Sequence, residues 1–236
     1  MICVSRYNED LSWTLEYPFH QFNYTVYNKG INENFEKKHV AKIISLPNVG
    51  RCDHTYLHHV VTQYHALPNT VIFLPGSTDM PYKKMIAIKI LLSILHKKRA
   101  YFIGSETDSI FKQFLDFSQE EYCCQNPTNQ LLNNESKVYP CPQRPFGNWF
   151  LRHGFHDVGY HCYYGIFSID KRDILQHPPS RYKQLMDELA VHSNPEVGHY
   201  TERAWATIFG PFRHTIFEPV HPKPKKKKAL LFTAHP

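Results

Sequence analysis

A glutamate in an aromatic setting is the residue of this sequence best suited to moving a proton. Tyr200-Thr201-Glu202-Arg203-Ala204-Trp205 puts Glu202 near the start of a helical stretch. A glutamate with one apolar wall has its pKa raised toward neutrality and can act as a general base. Arg203 is next in sequence but about 100° around a helix, so it need not quench the carboxylate. The plainer alternative is a solvated glutamate in a first helical turn. Two loops carry further chemistry. Arg6-Tyr7-Asn8-Glu9-Asp10 follows an apolar strand-like start and offers an amide and two carboxylates, which suit ribose hydroxyls and base edges. The same acids also suit a helix N-terminus. Pro75-Gly76-Ser77-Thr78-Asp79 follows Val71-Ile72-Phe73-Leu74 and supplies a glycine, a hydroxyl and a carboxylate; alone, it reads as a Pro-Gly turn.

Sixteen histidines raise a metal reading. His54 and His58 have the i, i+4 spacing that binds zinc, with Asp53 beside them. His153 and His156 precede Asp157 and His161. Neither set completes a metal signature, so a zinc-dependent hydrolase using Asp53, His54 and His58 stands as a second reading. Gly-x-Ser-x-Gly, the P-loop pattern and Gly-x-Gly-x-x-Gly are all missing.

These residues need elements to position them. Ile2 to Ser5, Gln21 to Tyr27, Ala41 to Leu46, Val71 to Leu74 and Tyr101 to Ile103 read as strands. Arg51 to Leu67 has an i, i+3/i+4 apolar pattern, and Met85 to Leu95 is a buried helix ending in cations. The alternation of strands and helices predicts an α/β sandwich with a mostly parallel sheet. In such sheets ligands sit at the carboxyl ends of strands, where both loops fall. A short helix is expected over Ile110 to Phe117. Residues 119–149, rich in proline and paired asparagine, read as an irregular insertion of the kind that forms an acceptor loop. His161 to Ile169 is an aromatic β run, followed by helices over Tyr182 to Val191 and Tyr200 to Phe209.

At 236 residues the chain holds one sizeable core, here residues 1–222, with a basic tail over 223–236. Net charge is +6, but without Lys223, Lys225, Lys226, Lys227 and Lys228 it is +1, so a nucleic-acid groove over the body is not expected. No run of about 18 apolar residues occurs, so no transmembrane segment is expected. Met1 to Ser5 is too short for a signal peptide. Six scattered cysteines without Cys-x-x-Cys fit reduced thiols in a cytoplasmic setting.

Several stretches together resemble a glycosyltransferase-like family of fungal, bacterial and large-virus proteins that long carried only a domain-of-unknown-function label. They are Ser5-Arg6-Tyr7-Asn8-Glu9-Asp10-Leu11-Ser12-Trp13, Tyr27-Asn28-Lys29-Gly30, Asn48-Val49-Gly50-Arg51, His54-Thr55-Tyr56-Leu57, Leu67 to Gly76, and the late Glu202-Arg203-x-Trp205-x-x-Ile208-Phe209. The nearest likeness is to glycosyltransferases of large algal viruses, one of which transfers xylose. The resemblance implies a GT-A-like nucleotide-diphospho-sugar transferase fold and a UDP-sugar donor, UDP-xylose among the candidates. It also implies a glycan or glycoprotein acceptor, no organic cofactor, and the host cytoplasm if the protein is viral. Ser5, Arg6, Asn8, Glu9 and Asp10 would hold the uridine, with Arg51, Gly76 and Ser77 completing the donor site. Trp149 and Tyr163 would offer stacking faces to the acceptor sugar, beside His153, Arg203 and Trp205. Glu202 would be the base of an inverting transfer. Such enzymes carry Asp-x-Asp for Mn²⁺ or Mg²⁺, and this chain has none. Asp79 could supply one metal carboxylate; otherwise Arg51, Lys83 or the tail lysines must offset the diphosphate charge. A third reading is a non-catalytic carbohydrate-binding module that uses the basic tail.

Overall fold

The computed structural model describes residues 1–106, 138–156, 159–162 and 164–219. The expected helix over Ile110 to Phe117, residues 119–137 of the expected insertion, Tyr163 and the basic tail lie outside these.

Four strands build the parallel body of a five-stranded sheet: β1 (Ile2–Arg6), β2 (Tyr24–Asn28), β3 (Val40–Ser45) and β4 (Thr70–Pro75). Their order is β3-β2-β1-β4, and β7 (Phe167–Asp170) closes the far edge antiparallel to β4. β5 (Tyr101–Glu106) pairs with β6 (Tyr160–His161) and β8 (Ile216–Pro219) in a second sheet. Ser168 bonds both backbone groups of Tyr101, fastening β7 to β5.

The central strands are apolar on both faces because both faces are covered. Cys3, Val71 and Phe73 point into one core, while Ile2, Val4, Ile72 and Leu74 point into the other. The first core is filled by α1 (Arg51–Gln63), α3 (Phe146–Arg152), α5 (Pro179–Leu189) and α6 (Glu196–Phe209). The second is filled by α2 (Pro81–Lys97) and by Trp13 and Phe19 from two short 3₁₀ turns. The short α4 (Lys171–Leu175) follows β7, with Asp170 capping it through the Arg172 amide. The molecule is thus mixed α/β, its mostly parallel central sheet flanked by helices. Among the described residues, no helix is long and apolar enough to cross a membrane.

Three expectations change. The helix from Arg51 ends at Gln63, short of Leu67. Phe146–Arg152 is helical, although its first four residues fall in the expected irregular insertion; its Phe146, Trp149 and Phe150 are buried. The aromatic run from His161 to Ile169 is two strands in different sheets, because Tyr164 and Gly165 turn the chain with φ of 71° and 63°.

Candidate active site

The sheet changes direction at β1. The chain adds β2 and β3 on one side, then crosses to place β4 on the other. This leaves a crevice beyond the carboxyl ends of β1 and β4, where open α/β sheets bind ligands. A cleft of about 680 Å³ opens there, within the usual range for small-molecule sites. Ser5, Tyr7 and Glu9 come to it from the β1 end and Pro75 and Ser77 from the β4 end. α1 brings Arg51, Cys52 and Asp53; α2 brings Tyr82 and Lys83; α6 brings Gly198, His199, Glu202 and Arg203. Three segments distant in sequence therefore meet: the early acidic loop, the turn after β4 and the late glutamate.

Arg6 organises the first loop and, although nearly buried, lines the cleft. Its guanidinium donates to Glu9 O, Asn28 Oδ1 and Asn32 O, each at 2.6 Å, and lies 4.1 Å over the Phe35 ring. Ser5 Oγ is taken up by Thr55 Oγ1 at 2.9 Å, which ties β1 to α1. The Glu9 carboxylate accepts the amides of Tyr7 and Asn8 at 2.7 and 3.1 Å. It also packs on Gly76, where a Cβ would stand 2.7 Å from it. A side chain at 76 would push the Glu9 carboxylate aside. Asn8 and Asp10 are exposed and lie outside the cleft lining. Asp10 accepts the amide and hydroxyl of Ser12, both at 2.9 Å.

On the opposite wall, Glu202 Oε1 accepts the Tyr164 amide at 2.6 Å, and Oε2 is 3.9 Å from Arg203 Nη1. Arg203 is itself nearly buried and donates to His199 O at 2.7 Å. Asp53, which only the zinc reading had invoked, shares this wall. It is buried and accepts the Trp205 indole N–H at 3.0 Å. Burial, and after it the charge of Glu202, push its carboxyl up to about 7. Lys29 lines the cleft with its ammonium on the carbonyls of Val49 and Arg51, and burial brings it down to about 8. Lys83 donates to Ser77 Oγ at 2.7 Å, and burial lowers its pKa. Tyr82 and Tyr164 stack obliquely, 4.8 Å between centroids, while staying 42% and 41% exposed.

The aromatic acceptor residues expected from the sequence are elsewhere. Trp149 and Trp205 are fully buried, so neither offers a sugar-stacking face. Trp149 donates to Glu188 Oε2 at 2.9 Å, and His153 Nε2 lies 3.2 Å from the same oxygen, away from the cleft. Trp205 acts from below, by fixing Asp53. The exposed rings that line the cleft are Tyr7, Tyr82 and Tyr164. Nothing in an aromatic-rich sequence marks which rings face out; that needs the fold.

Asp79 ends the turn after β4, exposed and outside the cleft lining. Among the described residues, no three His, Cys, Asp or Glu gather as a metal set. Glu9 is engaged by two amides and Asp53 by an indole. His54 and His58 face the Tyr27 side of α1 and do not line the cleft, with ring centroids 6.3 Å apart. Burial pushes His54 down to about 4 and lowers His58 as well.

A family model described as "Protein of unknown function (DUF3431)" matches residues 1–226. No curated protein and no solved structure matches the chain.

Proposed function

The chain belongs to this DUF3431 family, and from its cleft we propose a glycosyltransferase that moves a sugar from a UDP-sugar to a hydroxyl of a glycan. One observation carries the reading: Arg51 and Lys83, whose hydrogen bonds go to neutral groups, share one cavity with a candidate base at the sheet's direction change. That combination suits a donor with a doubly charged leaving group and an acceptor that must lose a proton. A parallel sheet with its donor loops after β1 and β4 agrees with a GT-A-like sandwich.

In this reading the Tyr7-to-Glu9 loop holds the nucleoside. The loop is pre-organised, since Arg6 and Gly76 fix its shape from either side. Tyr82 and Tyr164 flank the sugar. Glu202 uses Oε2 to take the proton of the acceptor hydroxyl, Oε1 being held by the Tyr164 amide. The hydroxyl oxygen then attacks the anomeric carbon from the face opposite the nucleotide. The bond from that carbon to the diphosphate oxygen breaks, and its electron pair leaves with the nucleoside diphosphate. Cations of the cleft stabilise that departing charge. No step is routed through a divalent ion.

A thermal-shift panel of nucleotide sugars tests the proposal. At a hundredfold excess over Kd, a true donor adds about 2.7 kcal/mol and raises Tm by roughly 5–10 °C. A panel in which no nucleotide sugar raises Tm at millimolar concentration overturns it.

A further inference from the structure

We propose that Arg51 and Lys83 form a two-sided clamp for the diphosphate group of the donor, sufficient to bind it without a divalent cation. The clamp rests on the donor reading above and names what replaces the missing Asp-x-Asp.

The first observation is charge without a direct ion pair. Lys84, Lys89, Arg144, Arg172 and Lys183 each reach a carboxylate in an ion pair. Arg51 and Lys83 make none among the described residues. Their hydrogen bonds go to uncharged groups instead: Arg51 Nη1 to His199 Nε2 at 3.1 Å, and Lys83 Nζ to Ser77 Oγ at 2.7 Å. His199 stays neutral there, because burial and the charges of Arg51 and Arg203 depress its pKa. Both side chains line the same cleft. Burial first, then the Arg51 charge, lowers the Lys83 pKa, and the charges of Glu202 and Glu9 offset part of this. Two cations held near each other, with donors to spare, attract a multivalent anion.

The second observation is that the fold positions Arg51 at a conformational cost. Its backbone is left-handed, with φ of 50°, at the first residue of α1. The buried ammonium of Lys29 bonds the Val49 and Arg51 carbonyls, holding that turn in place. A non-glycine residue persists in this region only where its surroundings over-determine it, and such residues cluster at ligand clamps. Tyr164, across the cleft, is left-handed too.

Calorimetry with inorganic pyrophosphate in excess EDTA tests the clamp. The wild-type protein should bind pyrophosphate under these conditions. Lys83→Gln and Arg51→Ala should each weaken binding at least tenfold, Arg51→Lys should recover part of the loss, and Lys42→Gln, on exposed β3, should change nothing. Circular dichroism and Tm show that each variant is folded. No binding without Mn²⁺ or Mg²⁺, or equal binding by all variants, overturns the clamp. If pyrophosphate binds as described while no nucleotide sugar raises Tm, the clamp stands and the transferase reading falls. If nucleotide sugars raise Tm but pyrophosphate needs a metal, the reverse holds.

Discussion

Two polar regions of this protein use similar residues to opposite ends. Beneath α3, Glu188 and Glu196 are surrounded by aromatics and cations, as Glu202 and Asp53 are in the cleft. Glu196 is fully buried, and its oxygens accept the Cys141 amide at 2.7 Å, Arg144 Nε at 2.9 Å and the Tyr200 hydroxyl at 2.9 Å. Glu188 accepts Trp149 on one oxygen, with His153 against it. There, charge is met by opposite charge and the lone pairs are occupied. In the cleft, Arg51 and Lys83 lean on neutral partners and two carboxylates sit close together, one of them pushed toward neutrality by burial. Charges held in one place without direct ion pairs are costly to fold around, so they mark the region kept for a ligand.

The contrast can be broken by separating stability from binding. The largest stability effect belongs to Glu196→Gln, which leaves Arg144 facing a neutral amide. The Arg144 side chain is 36% exposed, so water makes up for part of its lost charge partner. The cost is about 1–3 kcal/mol, and Tm should fall by roughly 3–10 °C. Pyrophosphate affinity should not change in the surviving folded protein. A loss of affinity with unchanged Tm would mean that this region belongs to the site after all.

Asp53→Asn should act in the opposite direction. An acid raised from its ordinary value to about 7 binds more protons folded than unfolded between about pH 4 and 7. Its contribution to stability therefore declines as pH rises through that window and is flat above it. The amide keeps the Trp205 hydrogen bond without carrying charge. The variant should match the wild type near pH 4 and exceed it at pH 8, by a few kcal/mol at most, or roughly 5 °C in Tm. Melts across this range that run parallel for the two proteins would refute the assignment of Asp53.

Much of the frame was legible in the sequence. Val71 to Leu74 could only be a buried strand, and the apolar repeats of α1, α2 and α6 named their helices, though not each end. α3 went unseen because seven residues after a run of prolines carry too little periodicity. The loops after β1 and β4 were legible because strand ends hold ligands in such sheets. The roles within them were not. Arg6 was expected to help hold the uridine, but its guanidinium is hydrogen-bonded to four oxygens of its own loop and neighbours, and the glycine at 76 accommodates Glu9. Trp149, His153 and Trp205 were chosen for chemistry that burial denies them. Asp53 was read with His54 and His58, its sequence neighbours, whereas the helix turns it toward Trp205 and the cleft. Lys29 reaches the base of α1 only because β2 runs beside β1.

The central claim, that the cleft transfers a sugar with Glu202 as base, meets its most direct test in the turnover of Glu202→Gln. With the donor identified by thermal shift, nucleoside diphosphate release to an acceptor glycan should fall by about 10³-fold, with donor affinity and Tm nearly unchanged. Turnover equal to the wild type would contradict the account.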